Sequence, residues 1–354
     1  MADHTPAALP DQPEDWTEPG AHEVAPGVHR IPLPMPFDAL RAVNVYVVRD
    51  AGDDDDETLL IDSGWDIPAT SAAFRKGLAP LGLEPGDVRR FAITHAHHDH
   101  YSAALALQRR LGCEVAVGRG ERPSIEAYPQ RYFDASAEIV VRGGAPELAA
   151  TYRRARRAEC ADDTSAWGLP DWWLDDGQRL DVGSRQIEVR ATPGHTRGHV
   201  VFRDVAAGLL FSGDHVLPHI TPSIGYEAAP EPMPLRSYLD SLRIIRDLPD
   251  ALLLPAHGPV TASAHTRVHE LLVHHDDRLV AMHGRVIAGD ATAFEVASAL
   301  PWTRRGRSFA GLELQHRALA VMETMAHLDV LVEAGRLVRT VAEGGVAIHR
   351  APPA

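Results

Sequence analysis

The histidine-rich segment at residues 94–100 constrains the fold of this chain more than any other feature. Its sequence is Thr94-His95-Ala96-His97-His98-Asp99-His100. The segment follows a short apolar run, where a strand is predicted to end and a helix to begin. Side chains two apart in extended backbone point the same way, so His95 and His97 can bind one cation while Asp99 and His100 turn toward a second. Loops at the carboxyl ends of strands are where α/β folds keep such sites.

Three further residues complete a candidate metal site. They are His195, Asp214 and His257. Each follows a predicted strand, and the two histidines sit in tight turns that contain glycine. Asp214 is the natural bridging carboxylate between two cations. Five imidazoles and two carboxylates suit zinc, with iron or manganese as alternatives. The sequence therefore predicts two Zn²⁺ per chain, held by His95, His97, Asp99, His100, His195, Asp214 and His257.

The charges of such a site predict its chemistry. Two divalent cations outweigh two carboxylates and a bridging hydroxide, so the site keeps a net positive charge. Divalent cations lower the pKa of bound water from about 15.7 toward about 7. Asp99 is expected to orient the resulting nucleophile, and is the predicted catalytic residue. His215 and His219 are weak candidates for the proton donor to the leaving group.

Strand-like and helix-like stretches alternate over residues 23–262, which is an α/β pattern. An irregular insertion at about residues 119–176 interrupts it. Trp167, Trp172 and Trp173 in this insertion could shape an apolar acyl pocket, or they could simply pack. The main domain is therefore predicted over residues 23–262, with the insertion over a site.

The two ends of the chain differ from the main domain. Residues 1–22 are acidic and proline-rich and are predicted to form a disordered tail. Residues 263–354 show helical patterns at 264–287, 293–300 and 312–334. Glu343-Gly344-Gly345 then marks a hairpin turn. Three helices and a hairpin predict a small winged-helix-like domain.

These segments, in this order, resemble the metallo-β-lactamase superfamily, whose signature runs Asp, HxHxDH, His, Asp, His. Asp62 in Leu60-Ile61-Asp62-Ser63-Gly64 matches the first element. The resemblance covers roughly residues 24–259 and implies a four-layer αββα sandwich with the metals at the sheet edge. It also implies that Asp62 supports the ligands without being one. His98 and His199 match variable positions and are predicted to be ordinary packing residues.

Departures from known branches of this family narrow the function. Asp214 argues against a true β-lactamase, which generally lacks this carboxylate. No glycine-cysteine-rich segment of the glutathione-thioester hydrolases follows Asp214, and Leu217 stands where lactonases of this fold have tyrosine. The chain is similar to the branch with a C-terminal winged-helix segment, which includes thioester or general hydrolases and some endoribonucleases.

The bulk composition bears on the partners and the location of the protein. A formal net charge of −14 disfavours nucleic acid, although Arg304, Arg305 and Arg307 near the last long helix leave it as an alternative. Two cysteines do not form a disulfide framework, and a reducing cytoplasm is predicted. No signal peptide or 18-residue apolar run is found, so neither export nor membrane insertion is expected.

The sequence thus predicts a binuclear zinc-dependent hydrolase that attacks a thioester, ester or lactone carbonyl with a metal-bound hydroxide. Its partner is a small-molecule acyl substrate, and a homodimer is left open. One alternative is a zinc endoribonuclease or phosphodiesterase. Another is an oxidoreductase with one iron, similar to persulfide dioxygenases. A metal-stabilised DNA-binding regulator is the least favoured.

Overall fold

The structure is a computed structural model that describes residues 12–35, 40–50, 58–128, 131–159, 167–303 and 305–353. Its strands are β1 (His22–Ala25), β2 (Val28–Pro34), β3 (Ala42–Arg49), β4 (Thr58–Ile61), β5 (Arg90–Ile93), β6 (Glu114–Gly118), β7 (Trp172–Leu174), β8 (Arg179–Val182), β9 (Arg185–Ala191), β10 (Val200–Asp204), β11 (Leu209–Gly213), β12 (Leu252–Pro255), β13 (Val338–Val341) and β14 (Ala347–Arg350). Its helices are α1 (Pro68–Leu78), α2 (His98–Leu111), α3 (Arg122–Ala127), α4 (Tyr132–Arg142), α5 (Pro146–Glu159), α6 (Pro234–Asp247), α7 (Ala264–Ile287), α8 (Ala293–Ala299) and α9 (Leu314–Glu333).

Two large sheets organise the first three quarters of the chain. The first has the order β1-β2-β3-β4-β5-β6-β7, antiparallel from β1 to β4 and parallel from β4 to β7. The second has the order β12-β11-β10-β9-β8, in which β11 and β12 are parallel and the other neighbours are antiparallel. Parallel neighbours end at the same sheet edge, so each sheet collects the loops that follow its parallel strands at one edge.

The first sheet is buried on both faces, as its nearly continuous apolar strands require. In β3 the alternation of side chains places Val45 against the helical layer, together with Phe74 of α1 and Leu105 of α2. Tyr46 points the other way, into the core between the sheets, where its ring meets Phe211 of β11 edge-on at 5.3 Å. A helical layer therefore covers the outer face, and the second sheet covers the inner face.

The second sheet is covered in the same way on its outer face. Val201, Leu210 and Leu253 of this sheet pack against Leu242 of α6 and Leu271 of α7. Fully burying each such side chain stabilises the fold by about 1.5–3 kcal/mol. The layers are thus helix, sheet, sheet and helix, so the predicted αββα sandwich is confirmed.

The helices of the insertion share one core with the C-terminal helices. Val140 of α4 and Tyr152 of α5 pack with Val286 of α7 and with Val321 and Leu328 of α9. A hairpin of β13 and β14 follows α9. Three helices and a hairpin is the element order predicted for residues 263–354. The winged-helix-like assignment and the domain limits stay predictions.

The residues before β1 contact the first sheet. The buried Arg30 of β2 donates from Nη1 to the carbonyl oxygen of Trp16 at 2.5 Å and to Asn44 Oδ1 at 3.0 Å. Arg41 pairs with Asp15 at 2.7 Å. The predicted tail, residues 1–22, overlaps this segment, and residues 1–11 lie outside the described part. Among the described helices, none has both the length and the apolar character that a membrane span requires.

Candidate metal centre

The predicted ligands follow strands of both sheets and meet at one edge of the sandwich. His95 and His97 lie in the turn between β5 and α2, and α2 begins at His98. His195 lies between β9 and β10, Asp214 comes directly after β11, and His257 lies two residues after the end of β12. The main chains of the two sheets also join here, because Val200 N–H donates to the Thr94 carbonyl at 2.8 Å. Packing of the two sheets therefore brings together residues more than 150 positions apart.

Three histidines form the first group of converging side-chain atoms. His95 Nε2 lies 3.0 Å from His97 Nδ1 and 3.2 Å from His195 Nε2, and the last two atoms are 3.1 Å apart. A tetrahedral cation with bonds of about 2.0–2.1 Å spaces its ligand atoms about 3.3 Å apart. The triangle of nitrogens therefore has nearly the edge length of one face of a zinc coordination tetrahedron.

Asp99, His100 and His257 form the second group. Asp99 Oδ2 lies 3.5 Å from His100 Nε2 and 3.3 Å from His257 Nε2. All three side chains are buried or nearly so, with Asp99 the most open at 15% exposure. The spacing again suits a small cation, and the group combines oxygen and nitrogen donors, as zinc, iron and manganese accept.

Asp214 connects the two groups through its two carboxylate oxygens. Oδ1 lies 3.3 Å from His257 Nε2 and 3.7 Å from His100 Nε2. Oδ2 lies 3.6 Å from His195 Nε2 of the first group. One oxygen thus faces each group, which is the placement that a bridging carboxylate needs. All seven predicted ligands are therefore brought together.

In three of the histidines, one ring nitrogen points toward the converging ligand atoms and the other is held by a hydrogen bond to a main-chain carbonyl. His97 Nε2 donates to the Tyr226 carbonyl at 2.8 Å, His195 Nδ1 to the Ser223 carbonyl at 2.6 Å, and His257 Nδ1 to the Ala42 carbonyl at 2.8 Å. A carbonyl oxygen only accepts, so these nitrogens carry the protons. In the neutral form of each ring the inward nitrogen presents a lone pair, and such outer partners orient metal-binding histidines.

Buried atoms without a hydrogen-bond partner lie at the same centre. They are His100 Nε2, His257 Nε2 and Asp214 Oδ1. A buried polar group without a partner costs about 1–3 kcal/mol, and a cation coordinated by all three atoms would remove that cost. The donor set, the lone pairs and these unpartnered atoms all fit a divalent cation in each group.

Asp62 holds the second group from behind. Its Oδ2 accepts from His100 Nδ1 at 2.9 Å, and its Oδ1 accepts from the Thr94 N–H at 2.8 Å. The Thr94 hydroxyl lies 3.0 Å from both oxygens and 3.0 Å from His95 Nδ1. Asp62 thus links ligands of both groups, which matches the supporting role expected from the sequence.

The electrostatic field differs between the two groups. Burial lowers the pKa of His95 and His195 well below the usual value, and the neighbouring imidazoles lower it further. Burial acts in the same direction on His100 and His257, but adjacent carboxylates of Asp99 and Asp214 raise the pKa of both rings. The first group is therefore a set of neutral imidazoles, and the second lies in a negative field that attracts cations.

A family model supplies the deciding comparison. The model described as metallo-beta-lactamase superfamily matches residues 38–257, which contain all seven candidate ligands. The chain belongs to the metallo-beta-lactamase superfamily. It is therefore a metal-dependent hydrolase of a fold that binds divalent metals at its histidine and aspartate clusters.

Relatives agree with this membership over nearly the whole chain. A protein named "Probable metallo-hydrolase" from Bacillus subtilis is 24% identical over 327 residues, covering 90% of this chain and 96% of its own. Among solved structures, a beta-lactamase domain protein from Burkholderia ambifaria is 28% identical with a TM-score of 0.78, covering 99% of this chain and all of its own. A metallo-beta-lactamase family protein from Thermus thermophilus is 28% identical with a TM-score of 0.74, covering 93% and 100%.

His199 is a supporting residue of this superfamily member that the sequence patterns did not indicate. Its fully buried ring stacks on His95 with centroids 5.0 Å apart, and its Nε2 accepts the Asp214 N–H at 3.2 Å. Nδ1 lies 2.9 Å from the Thr192 hydroxyl. The spacing of four residues from His195 was the available signal, but one histidine at a variable position carries little information on its own.

His98 and the tryptophans of β7 pack against neighbouring side chains and do not join the candidate ligands. His98 packs among aromatic rings and not among the ligands, with its ring 5.1 Å from Trp167 and 5.4 Å from Tyr128. Trp172 and Trp173 lie in the edge strand β7 and pack on the two sides of the first sheet. They therefore pack in the sandwich, which was the alternative to a pocket-lining role.

The two candidate proton donors occupy different environments. His215 is fully buried, and burial lowers its pKa to about 3. Its ring is therefore neutral at pH 7, and the imidazolium form that would donate a proton is not populated. His219 is exposed and lies beside Gly258, the residue after His257. Of the two, only His219 has access to solvent beside the centre.

Proposed function

We propose that this chain is a binuclear zinc hydrolase that cleaves a thioester, ester or lactone carbonyl of a small acyl substrate. The main support for this proposal is the placement of Asp214. Its Oδ2 faces the three-histidine group, and its Oδ1 faces the Asp99–His100–His257 group. A carboxylate shared in this way is useful where two cations lie side by side. A cytoplasmic location and a winged-helix-like C-terminal unit are further parts of this proposal.

The proposed ligands have two roles, because all of them would bind the cations and Asp99 would also orient the attacking water. Two bound cations would lower the pKa of water from about 15.7 toward about 7 and polarise the scissile carbonyl oxygen. His95, His97 and His195 would hold one cation, and Asp99, His100 and His257 the other. Asp99 is the most exposed of the carboxylates at the centre and is proposed to orient the attacking water. Its low pKa, which adjacent His100 and His257 maintain against burial, keeps it able to accept a hydrogen bond.

The surroundings of the motif support an acyl substrate over a polyanion. The ring of His98, between ligands His97 and Asp99, contacts Trp65, Tyr128 and Trp167. Aromatic surface of this kind suits apolar acyl groups. Phosphodiester substrates are instead favoured by clustered positive charge. Arg304 lies outside the described residues, and Arg305 and Arg307 are exposed in the turn between α8 and α9.

The test begins with metal content, measured by elemental analysis of protein purified without added metal. The proposal expects about two zinc ions per wild-type chain and a lower content in Asp214→Ala. Asp204→Asn is the matched control, because Asp204 is a buried carboxylate paired with Arg185 at 2.7 Å, outside the centre. One iron per chain would refute the binuclear zinc centre and favour oxygen-dependent sulfur chemistry.

Substrate class is tested next with the zinc-loaded protein. Thioesters, simple esters, lactones and RNA are offered separately, with Asp99→Asn as the inactive reference. Turnover of a carbonyl substrate that Asp99→Asn loses supports the proposal. Hydrolysis of RNA alone, falling steeply with salt, would replace the carbonyl substrate by a phosphodiester.

A further inference from the structure

The buried carboxylate of Glu121 joins the two loops that carry the three-histidine group. Glu121 is 1% exposed and lies in the turn between β6 and α3. It accepts hydrogen bonds from the Ala96 N–H, the Gly198 N–H and the Thr196 hydroxyl. Ala96 lies between the ligands His95 and His97, and Thr196 follows the ligand His195. One side chain thus holds the main chain on both sides of the histidine triangle.

Close main-chain packing fixes where this carboxylate lies. A Cβ built on Gly198 would be 1.9 Å from Glu121 N, and one built on Gly118 would be 2.1 Å from the Gly198 carbonyl oxygen. A Cβ on Gly120 would be 2.6 Å from Gly198 Cα. Contacts this short to main-chain atoms exclude any side chain at the three positions. The β6–α3 turn and the loop that carries His195 therefore pack directly against each other through their main chains.

A second buried carboxylate extends the same clamp. Glu227 accepts from the Arg197 N–H at 2.7 Å and from the Ser124 hydroxyl. Burying two carboxylates costs free energy that burying apolar groups would not. The chain keeps them where they bind the N–H groups of residues 96, 197 and 198, which surround the ligands.

We propose that Glu121 is a positioning residue for the three-histidine metal group, setting the distance between the His95–His97 turn and the His195 loop. The inference rests on the proposed metal centre. Glu121 touches none of the seven ligand side chains in the contacts described, so it acts through the main chain. Losing it would loosen the triangle while leaving the Asp99–His100–His257 group in place.

The test variant is Glu121→Gln, which keeps the shape but turns one acceptor oxygen into an NH₂ donor. Only one amide oxygen then remains to accept from the Ala96 and Gly198 N–H groups, where the carboxylate offered two oxygens. Groups that orient metal ligands from outside typically change metal affinity about 10–100-fold, and we expect about 10-fold weaker binding at one site only. The control is Asp329→Asn, because Asp329 is a buried carboxylate on α9 that pairs with Arg339 of β13; this change should leave both affinities unchanged.

Metal-free protein is titrated with Zn²⁺ against a chromogenic chelator and with Co²⁺ by its visible spectrum. His195→Ala and His257→Ala supply reference spectra for loss of each group. We expect Glu121→Gln to lose the part of the Co²⁺ spectrum that His195→Ala also loses. Loss of the His257→Ala component, or no change in affinity or spectrum, would overturn it. Wild-type protein that binds neither ion would instead refute the metal centre itself.

Folding is checked by circular dichroism before any titration. If Glu121→Gln does not fold, Thr196→Val removes one donor to the same carboxylate with little change in volume. It should then weaken the same site by a smaller factor. A folded Thr196→Val protein with the affinity and spectrum of the wild type would overturn the positioning role.

Discussion

Replacing Asp62 by Asn tests whether the hydrogen bonds behind the ligands govern metal affinity. The carboxylate accepts from the Thr94 N–H at 2.8 Å and from His100 Nδ1 at 2.9 Å. Asparagine can keep the first bond through Oδ1, but its NH₂ then faces the proton on His100 Nδ1. Asp62 has φ 62°, a conformation that asparagine also tolerates, so main-chain strain does not change.

The expected loss follows from the one bond removed. A hydrogen bond to a charged group contributes about 1.5–3 kcal/mol. At 1.4 kcal/mol for each factor of ten, this predicts roughly 10–100-fold weaker Zn²⁺ binding in the group that contains His100. The assay is chelator competition on metal-free Asp62→Asn, with Asp204→Asn as the buried-carboxylate control. Two affinities within about threefold of wild type would refute the reasoning.

Three further predictions concern stability and turnover. Gly284→Ala should raise the free energy of unfolding by about 0.5–1 kcal/mol in a denaturant titration, because Gly284 is exposed inside α7 and its Cβ would meet open space. Burial lowers the pKa of His327 to about 3, so the folded protein binds a proton at this ring less readily than the unfolded chain does. The free energy of unfolding should therefore fall as pH drops from about 6.5 toward 3, by at most about 1.4 kcal/mol per pH unit. Urea titrations of His327→Gln at several pH values should show a weaker pH dependence. His219→Gln should lower kcat about 10²-fold or more with metal content unchanged, and unaltered kcat would exclude His219 as the proton donor.

Sequence patterns predicted the parts of the site that local geometry determines. The segment from His95 to His100 carries its own strand-to-helix transition, so its four ligand positions could be assigned from spacing and family resemblance. His199 could not, because its role depends on the stacking of its ring on His95 across two sheets. Glu121 was missed for the same reason, since no local pattern indicates which loop a buried carboxylate will hold.

The insertion shows where the fold prediction stopped short. The sequence predicts an irregular insertion at about residues 119–176, yet α4 occupies Tyr132–Arg142 and buries Phe133, Ala137 and Val140. Their spacings of four and three are a helical signal, but it is short and lies between Pro129 and the glycines at 143 and 144. Packing against α9 supplies the stability that the segment lacks alone.

Helix α7 belongs to two cores at once. Val268 and Leu271 in its first half cover the second sheet, while Met282 and Val286 in its second half enter the core shared with α9. A protein cut before α7 would therefore lose part of the helical layer that covers the second sheet. Engineering that exchanges the C-terminal region must therefore preserve the contacts that α7 makes with the second sheet.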